Sequence, residues 1–161
     1  MILLASIAGG CSAATKVDNS TVKSLVLVRY IGDWYELARI DHPFERNMDY
    51  TKAHYKLLAD GTIQVKNTGF KNGKFKETTA IAKTTNTPGL LKVSFFRPFY
   101  TDYRVLMVDT HYQYALVGAK NKNYLWILSR TPEIDEETWS ILLTEADRRG
   151  YDINRLTWVK Q

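Results

Sequence analysis

The reactive side chains of this sequence are few and scattered. Its three histidines are His42, His54 and His111, and its single cysteine is Cys11. His42 falls in a loop, His54 on the polar side of an alternating segment and His111 at a turn, so they do not converge on a metal ion or a nucleophile. Ser94 and Ser129 have no nearby histidine and acid to activate them. KNGK at 71–74 reads as a hairpin turn, not a phosphate loop. The sequence therefore argues against an enzyme, and no catalytic residue, metal ligand or cofactor is expected. What remains is recognition chemistry: Trp34 just after Gly32, Arg130 after Ser129, and one carboxylate, Glu36, inside an otherwise apolar run. A guanidinium over an indole face is a cation–π contact of about 1–2 kcal/mol when partly desolvated.

Those residues need a scaffold that brings positions 34 and 130 together. From Trp34 onward the sequence alternates with period two, and turn residues recur about every ten positions. Asp60-Gly61, Asn72-Gly73 and Pro88-Gly89 are turn pairs. Eight strands are expected at about 34–40, 52–59, 62–69, 74–84, 90–96, 103–109, 112–119 and 123–129. Short connections force antiparallel neighbours. After Pro132 the period becomes helical, with Trp139, Leu142, Leu143 and Ala146 on one side of a helix at about 136–149. Asp135 is its N-cap, and Arg148 and Arg149 close its last turn before Gly150. A short ninth strand, RLTWV, follows. The fold class is all-β: an eight-stranded antiparallel up-and-down β-barrel with one C-terminal α-helix packed outside and a ninth strand.

In such a barrel the eighth strand ends where the first begins. Arg130 then returns over Trp34, and Gly32 lets the incoming chain pass beneath the ring. By parity with Trp34, Glu36 points inward, where a bare carboxylate is costly, so a Tyr or Arg partner is expected. Parity also places Ala38, Tyr55, Asn67, Phe95, Met107 and Trp126, with Tyr30 below them, around the interior. These side chains either line a pocket or simply fill the core.

Composition fits one globular domain: 161 residues, 45% hydrophobic and 24% charged. The net charge of +5 is spread without a Lys/Arg run, which disfavours nucleic acid. No stretch of apolar residues is long enough for a spanning helix. Loops after the first, third, fifth and seventh strands should form the mouth. They hold Asp41, Glu45, Asp49 and Arg46; Lys71 and Lys74; Arg97 with Asp102; and Lys120 and Lys122, a net of +2, against Asp60 and Asp109 at the floor, a net of −2. A cationic mouth over an apolar shaft suits an amphiphile with an anionic head; the alternative is ordinary solvated lysines.

The first residues read as a processing segment. Residues 2–8 are apolar apart from Ser6, and Gly9, Gly10, Cys11 and Ser12 follow. This resembles the lipobox of bacterial lipoproteins, which implies a signal remnant at 1–10, a lipidated Cys11 and a flexible tether at 11–24 ahead of a barrel domain at 25–161. Two departures stand out: Ala8 occupies a position where that motif usually has Leu, and the usual basic start is missing, which implies a longer natural signal. The alternative is a frayed terminus carrying an incidental cysteine.

Gly32-x-Trp34, Thr101-Asp102-Tyr103 and Ser129-Arg130 resemble the three short motifs of the lipocalin family. DWYELARIDHPFER, LKVSFFRPFY and YLWILSRTP look like its bacterial outer-membrane branch, kin of apolipoprotein D, over residues 29–161. The resemblance implies a ligand-holding barrel in which Tyr30, Tyr55, Asn67, Phe95 and Trp126 match ligand-contacting positions of that branch. It implies storage or transport of a fatty acid or lysophospholipid, an outer-membrane address with the barrel in the periplasm, and leaves a homodimer open. Burying about twelve to fourteen methylenes would contribute roughly 10 kcal/mol before ordering and association costs. The alternative is a structural envelope lipoprotein whose barrel is packed shut.

Overall fold

The structure, a computed structural model, describes residues 16–161. Cys11, the expected signal remnant 1–10 and the first part of the expected tether lie outside the described residues. The elements in order are α1 Leu27–Tyr30, β1 Gly32–Ile40, β2 Met48–Leu57, β3 Ile63–Lys71, β4 Lys74–Thr84, β5 Leu90–Phe96, β6 Phe99–Val108, β7 Tyr114–Gly118, β8 Leu125–Ser129, α2 Glu136–Arg148 and β9 Leu156–Trp158.

Strands β2 to β8 pair in sequence order, β8 pairs with β1, and β1 pairs back onto β2, so the eight strands close. Turn chemistry fixes the register. Asn72 and Gly73 adopt φ of 51° and 75°, the left-handed pair that a two-residue hairpin requires between Lys71 and Lys74. At Asp60-Gly61, Asp60 Oδ1 accepts from the Thr62 amide at 2.9 Å, and Gly61 takes φ 81°.

Register shifts interrupt strict alternation in β1, β2, β5 and β6, and those in β1 and β6 reverse which later side chains face inward. Along β1, Glu36 pairs with Leu128 but Ala38 pairs with Ile127, so Leu37 is the extra residue. Along β6, Val105 pairs with Val117 but Met107 with Leu116, making Leu106 extra. One added residue moves every later side chain to the opposite face.

Two apolar clusters result. The first fills the lower barrel with Trp34, Ile63, Val65, Ala80, Leu91 and Val117, among others. The second lies between the outer wall and α2, where Leu106, Leu116, Leu125 and Ile127 meet Leu142 and Ala146. Asp135 caps α2, its Oδ1 accepting from the Thr138 amide at 2.7 Å. Gly150, at φ 88°, ends it, and the Tyr151 amide donates back to the Ala146 carbonyl at 3.1 Å. Trp139 packs at the edge of this cluster and also meets Trp158 of β9 edge-on, with centroids 4.8 Å apart.

Strand β9 repairs a gap in the wall. It pairs with Ala38–Ile40 where β2 has splayed away from β1. Beyond it the Lys160 carbonyl accepts from the Tyr50 amide at 2.6 Å. The Gln161 side-chain amide donates to the Glu36 and Thr51 carbonyls at 2.7 and 2.9 Å.

Residues 16–24 differ from the expected loose tether: they are strapped to the outer wall. The Asp18 amide donates to the Arg149 carbonyl at 2.8 Å and the Val22 amide to the Val105 carbonyl at 3.0 Å. Arg149, itself buried, donates to the carbonyls of Asp18, Ser20 and Leu106 at 3.1, 2.8 and 2.8 Å. Polar composition suggested looseness, but Val17 and Val22 reach apolar surface and the arginine satisfies the strap's carbonyls.

Candidate ligand-binding site

The floor is built on Trp34, which has 0% exposure. Its indole Nε1 donates to the Tyr30 carbonyl at 2.7 Å, and Arg130 Cζ lies 3.8 Å from its ring centroid. The same guanidinium donates to the carbonyls of Asp33, Arg29, Tyr30, Ile31 and Tyr112 at 2.7–3.2 Å. Arg130 thus ties β8 to the short helix α1 as well as covering the ring. Gly32 serves this clasp through its backbone: it takes φ 96°, and a Cβ there would meet Arg130 only at an ordinary 3.5 Å.

Three phenols meet above the floor. The Tyr103 hydroxyl lies 2.6 Å from that of Tyr30 and 2.9 Å from that of Tyr55. Burial pushes all three above the ordinary tyrosine range, so they stay neutral and exchange hydrogen bonds. Tyr103 was not among the expected lining residues, although it belongs to the Thr101-Asp102-Tyr103 motif. The neighbouring Asp102 faces Lys92 and Arg104, and accepts from Arg104 Nη2 at 2.8 Å.

A second polar group sits toward the mouth. The β1 bulge turns Arg39 inward beside Trp126, where its Nη1 donates to Glu36 Oε1 at 2.8 Å. Arg39 is therefore the partner that Glu36 requires. Arg39 Nη2 donates to the Glu45 and Met48 carbonyls at 2.5 and 3.2 Å. Glu45 Oε2 lies 2.6 Å from His42 Nε2 and accepts from Trp126 Nε1 at 2.9 Å. Burial, then the adjacent Glu45 charge, push the Glu36 carboxyl up to about 8, with Arg39 opposing. Burial also works to raise Glu45, but bonds from His42 and Trp126 and the Arg39 charge outweigh it and hold Glu45 below its usual range. At neutral pH, Glu45 is thus ionised against His42 and Trp126, while Glu36 favours its protonated form with Oε1 still accepting from Arg39. Nothing in the sequence placed Arg39, His42 and Glu45 together, because that grouping depends on the bulge and on the loop after β1.

The expected lining residues divide into groups. Tyr30 and Tyr55 belong to the inner cluster, and Trp126 packs against it. Asn67 lies on the same parity of β3 as Ile63 and Val65, paired with Ala53 and Thr78. Phe95 is half exposed near the mouth end of β5, beside a register shift. Ala38 and Met107 do not face the interior; both pack in the outer cluster under α2, because each follows an added residue. Outside the barrel, His54 Nδ1 lies 2.7 Å from Asp33 Oδ1, far from His42, and among the described residues no group of three or more His, Cys, Asp or Glu is placed to hold a metal.

A closed antiparallel cup, sealed at one end by an indole under a guanidinium and flanked by one helix, defines the class of calyx-shaped barrels. The comparisons agree. The lipocalin-like domain matches residues 25–161. Outer membrane lipoprotein Blc of Citrobacter freundii is 44% identical over 156 residues, covering 94% of this chain and 88% of its own length. Apolipoprotein D of Mus musculus is 30% identical over 164 residues, covering 95% and 83%. Insecticyanin from the tobacco hornworm Manduca sexta superposes with a TM-score of 0.73 at 18% identity, covering 91% of this chain and 86% of its own. The chain belongs to the lipocalin family.

Proposed function

We propose that this chain is a lipid carrier of the bacterial outer membrane, anchored through an acylated Cys11 and holding a fatty acid or lysophospholipid inside the barrel. The observation that carries this reading is a gradient along the interior. Trp34, Ile63 and Ala82 at the floor are sealed, whereas Ala53, Asn67 and Trp126 nearer the mouth keep accessible surface. Arg39 and His42 are buried on the β1 side of the mouth, so a cup closed below and accessible beside Asn67, Phe95 and Trp126 admits a long apolar chain tail-first and leaves its head at the mouth.

Within this reading Tyr55, Asn67, Phe95 and Trp126 contact the ligand, and the linked phenols of Tyr30, Tyr55 and Tyr103 bound the end of the acyl chain. Arg39 is already engaged by Glu36 and two carbonyls, so it shapes the wall and does not bind the head. The outer-membrane address rests on the relatives named Blc and on Cys11 after two glycines. Titration of delipidated protein with a fluorescent fatty acid tests the reading. A saturable signal in the micromolar range or tighter is expected. No saturation would leave a structural lipoprotein with a shut barrel.

A further inference from the structure

The geometry points to the barrel mouth as a membrane-docking face: its rim of phenylalanines and cations rests on the anionic leaflet that holds the chain's own N-terminal anchor. The anchor is part of the function proposed above; the rim stands on separate observations.

Three successive mouth hairpins repeat one pattern, an exposed phenylalanine next to a cation. Phe44 precedes Arg46 in the β1–β2 loop, Phe70 and Phe75 flank Lys71 and Lys74 in the β3–β4 hairpin, and Phe96 and Phe99 flank Arg97 between β5 and β6. Phe44, Phe96 and Phe99 are 80%, 81% and 78% exposed. Phe70 stacks edge-on between Tyr50 and Phe75, at 6.0 and 5.6 Å, so that part of the rim is a continuous aromatic surface. Exposed rings of this size, grouped at one end, mark a contact surface.

The charges select its partner. Lys71, Lys74, Arg97, Lys120 and Lys122 have no acidic group within ion-pair distance among the described residues. Of the nearby acids, Asp41 is paired with Arg46 at 2.8 Å and Glu45 is buried against His42, leaving Asp49. Aromatic rings interleaved with free cations suit the headgroup layer of an anionic bilayer. The floor end exposes Val26, Val28 and Leu57, beside Asp60 and Asp109.

The strap fixes the orientation independently. Asn19 Nδ2 donates to the Lys120 carbonyl in the β7–β8 mouth loop at 2.8 Å, while further on the Val26 amide donates to Tyr112 at the floor at 2.9 Å. The chain therefore runs from mouth to floor, and Lys16 leaves at the mouth. Five peptide steps separate Lys16 from Cys11 and reach at most about 18 Å. An eleven-residue strand such as β4 spans roughly 25–30 Å along a tilted barrel. A chain held at Cys11 thus reaches the leaflet with its mouth but not with its floor.

The test uses the full acylated chain in phosphatidylethanolamine–phosphatidylglycerol vesicles, with a fluorophore on N121C at the mouth or N86C at the floor. Nitroxide-labelled lipid is expected to quench the mouth probe at least fivefold more than the floor probe, and F96S/F99S to abolish most of the difference. Equal quenching at both ends, or a difference indifferent to those changes, overturns the proposal. The mass of Cys11 on the same sample reports the anchor. If it carries no acyl chain, the C11S chain is floated with phosphatidylglycerol or phosphatidylcholine vesicles. Flotation with the anionic vesicles that falls at least fivefold in R97E/K71E upholds the rim, and flotation unchanged by it overturns the rim. A changed oligomeric state in F96S/F99S with unchanged quenching assigns the rim to a second copy of the chain and also overturns it.

Discussion

Arg39 Nη1 meets Glu36 Oε1 at 2.8 Å, three residues apart on one strand, a spacing that in a regular strand would put them on opposite faces. The bulge at Leu37 turns Arg39 onto the inward face that Glu36 already occupies. Glu36 is pushed from 4.5 to about 8 by burial and Glu45, so the folded state keeps a proton that the unfolded state releases. This contribution is full below about pH 4.5 and is lost as pH rises to about 8. Urea midpoints are expected to fall across that window for the native chain. E36Q mimics the protonated acid and keeps an oxygen acceptor for Arg39 Nη1. Its midpoint should match the native value near pH 5 and exceed it near pH 8.5; parallel curves for the two proteins would contradict the assignment.

The floor clasp makes a prediction of its own. R130M removes the cation from the Trp34 face and strands five carbonyl acceptors. The cation–π loss is about 1–2 kcal/mol, and each acceptor left without a donor or water adds about 1–3 kcal/mol. A total loss of roughly 3–5 kcal/mol is expected in urea unfolding, with water reaching some of the carbonyls. R130K, which keeps the charge but not the fork, should fall between. A loss under about 1 kcal/mol for R130M would show that the floor does not depend on this residue.

Much of this molecule was legible because period two, turn pairs and the helical stripe each act locally. The eight strands, α2 and the Trp34–Arg130 meeting follow from them. What escaped the sequence depends on events that leave no local mark. Ala38 and Met107 were assigned inward by strict alternation, and one extra residue in each strand reversed them. The strap 16–24 reads as a linker because its docking relies on Arg149, more than a hundred residues away. Glu36 was legible as a residue needing a partner, while Arg39 as that partner was not.

The bulges imply a separation of stability from binding. Met107 packs outside with the cluster under α2, whereas Trp126 packs against the inner cluster. M107A should cost roughly 1–3 kcal/mol through lost packing and leave fatty-acid affinity unchanged. W126A should weaken that affinity at least fivefold. Fluorescent fatty-acid titration and urea unfolding of both variants measure this, and a weakened affinity in M107A would place it back on the interior.

Arg149 is to the strap what Arg130 is to the floor. Its guanidinium donates to two strap carbonyls and to Leu106 of β6, while its Nε donates to Glu145 Oε1 at 2.7 Å within α2. One side chain therefore joins the strap, the wall and the helix. Removing it leaves the Leu106 carbonyl without that donor in a buried place and frees the Asp18 and Ser20 carbonyls to take water. R149M retains the aliphatic stem and so isolates the loss of the hydrogen bonds. Global stability should drop by roughly 1–3 kcal/mol from the stranded Leu106 carbonyl. Hydrogen exchange at the Asp18 and Val22 amides should rise well beyond that of barrel amides such as Val65, since the strap opens locally before the barrel unfolds. Uniform acceleration at all three sites would mean that the strap is held by Val17 and Val22 packing alone and opens only with the whole molecule.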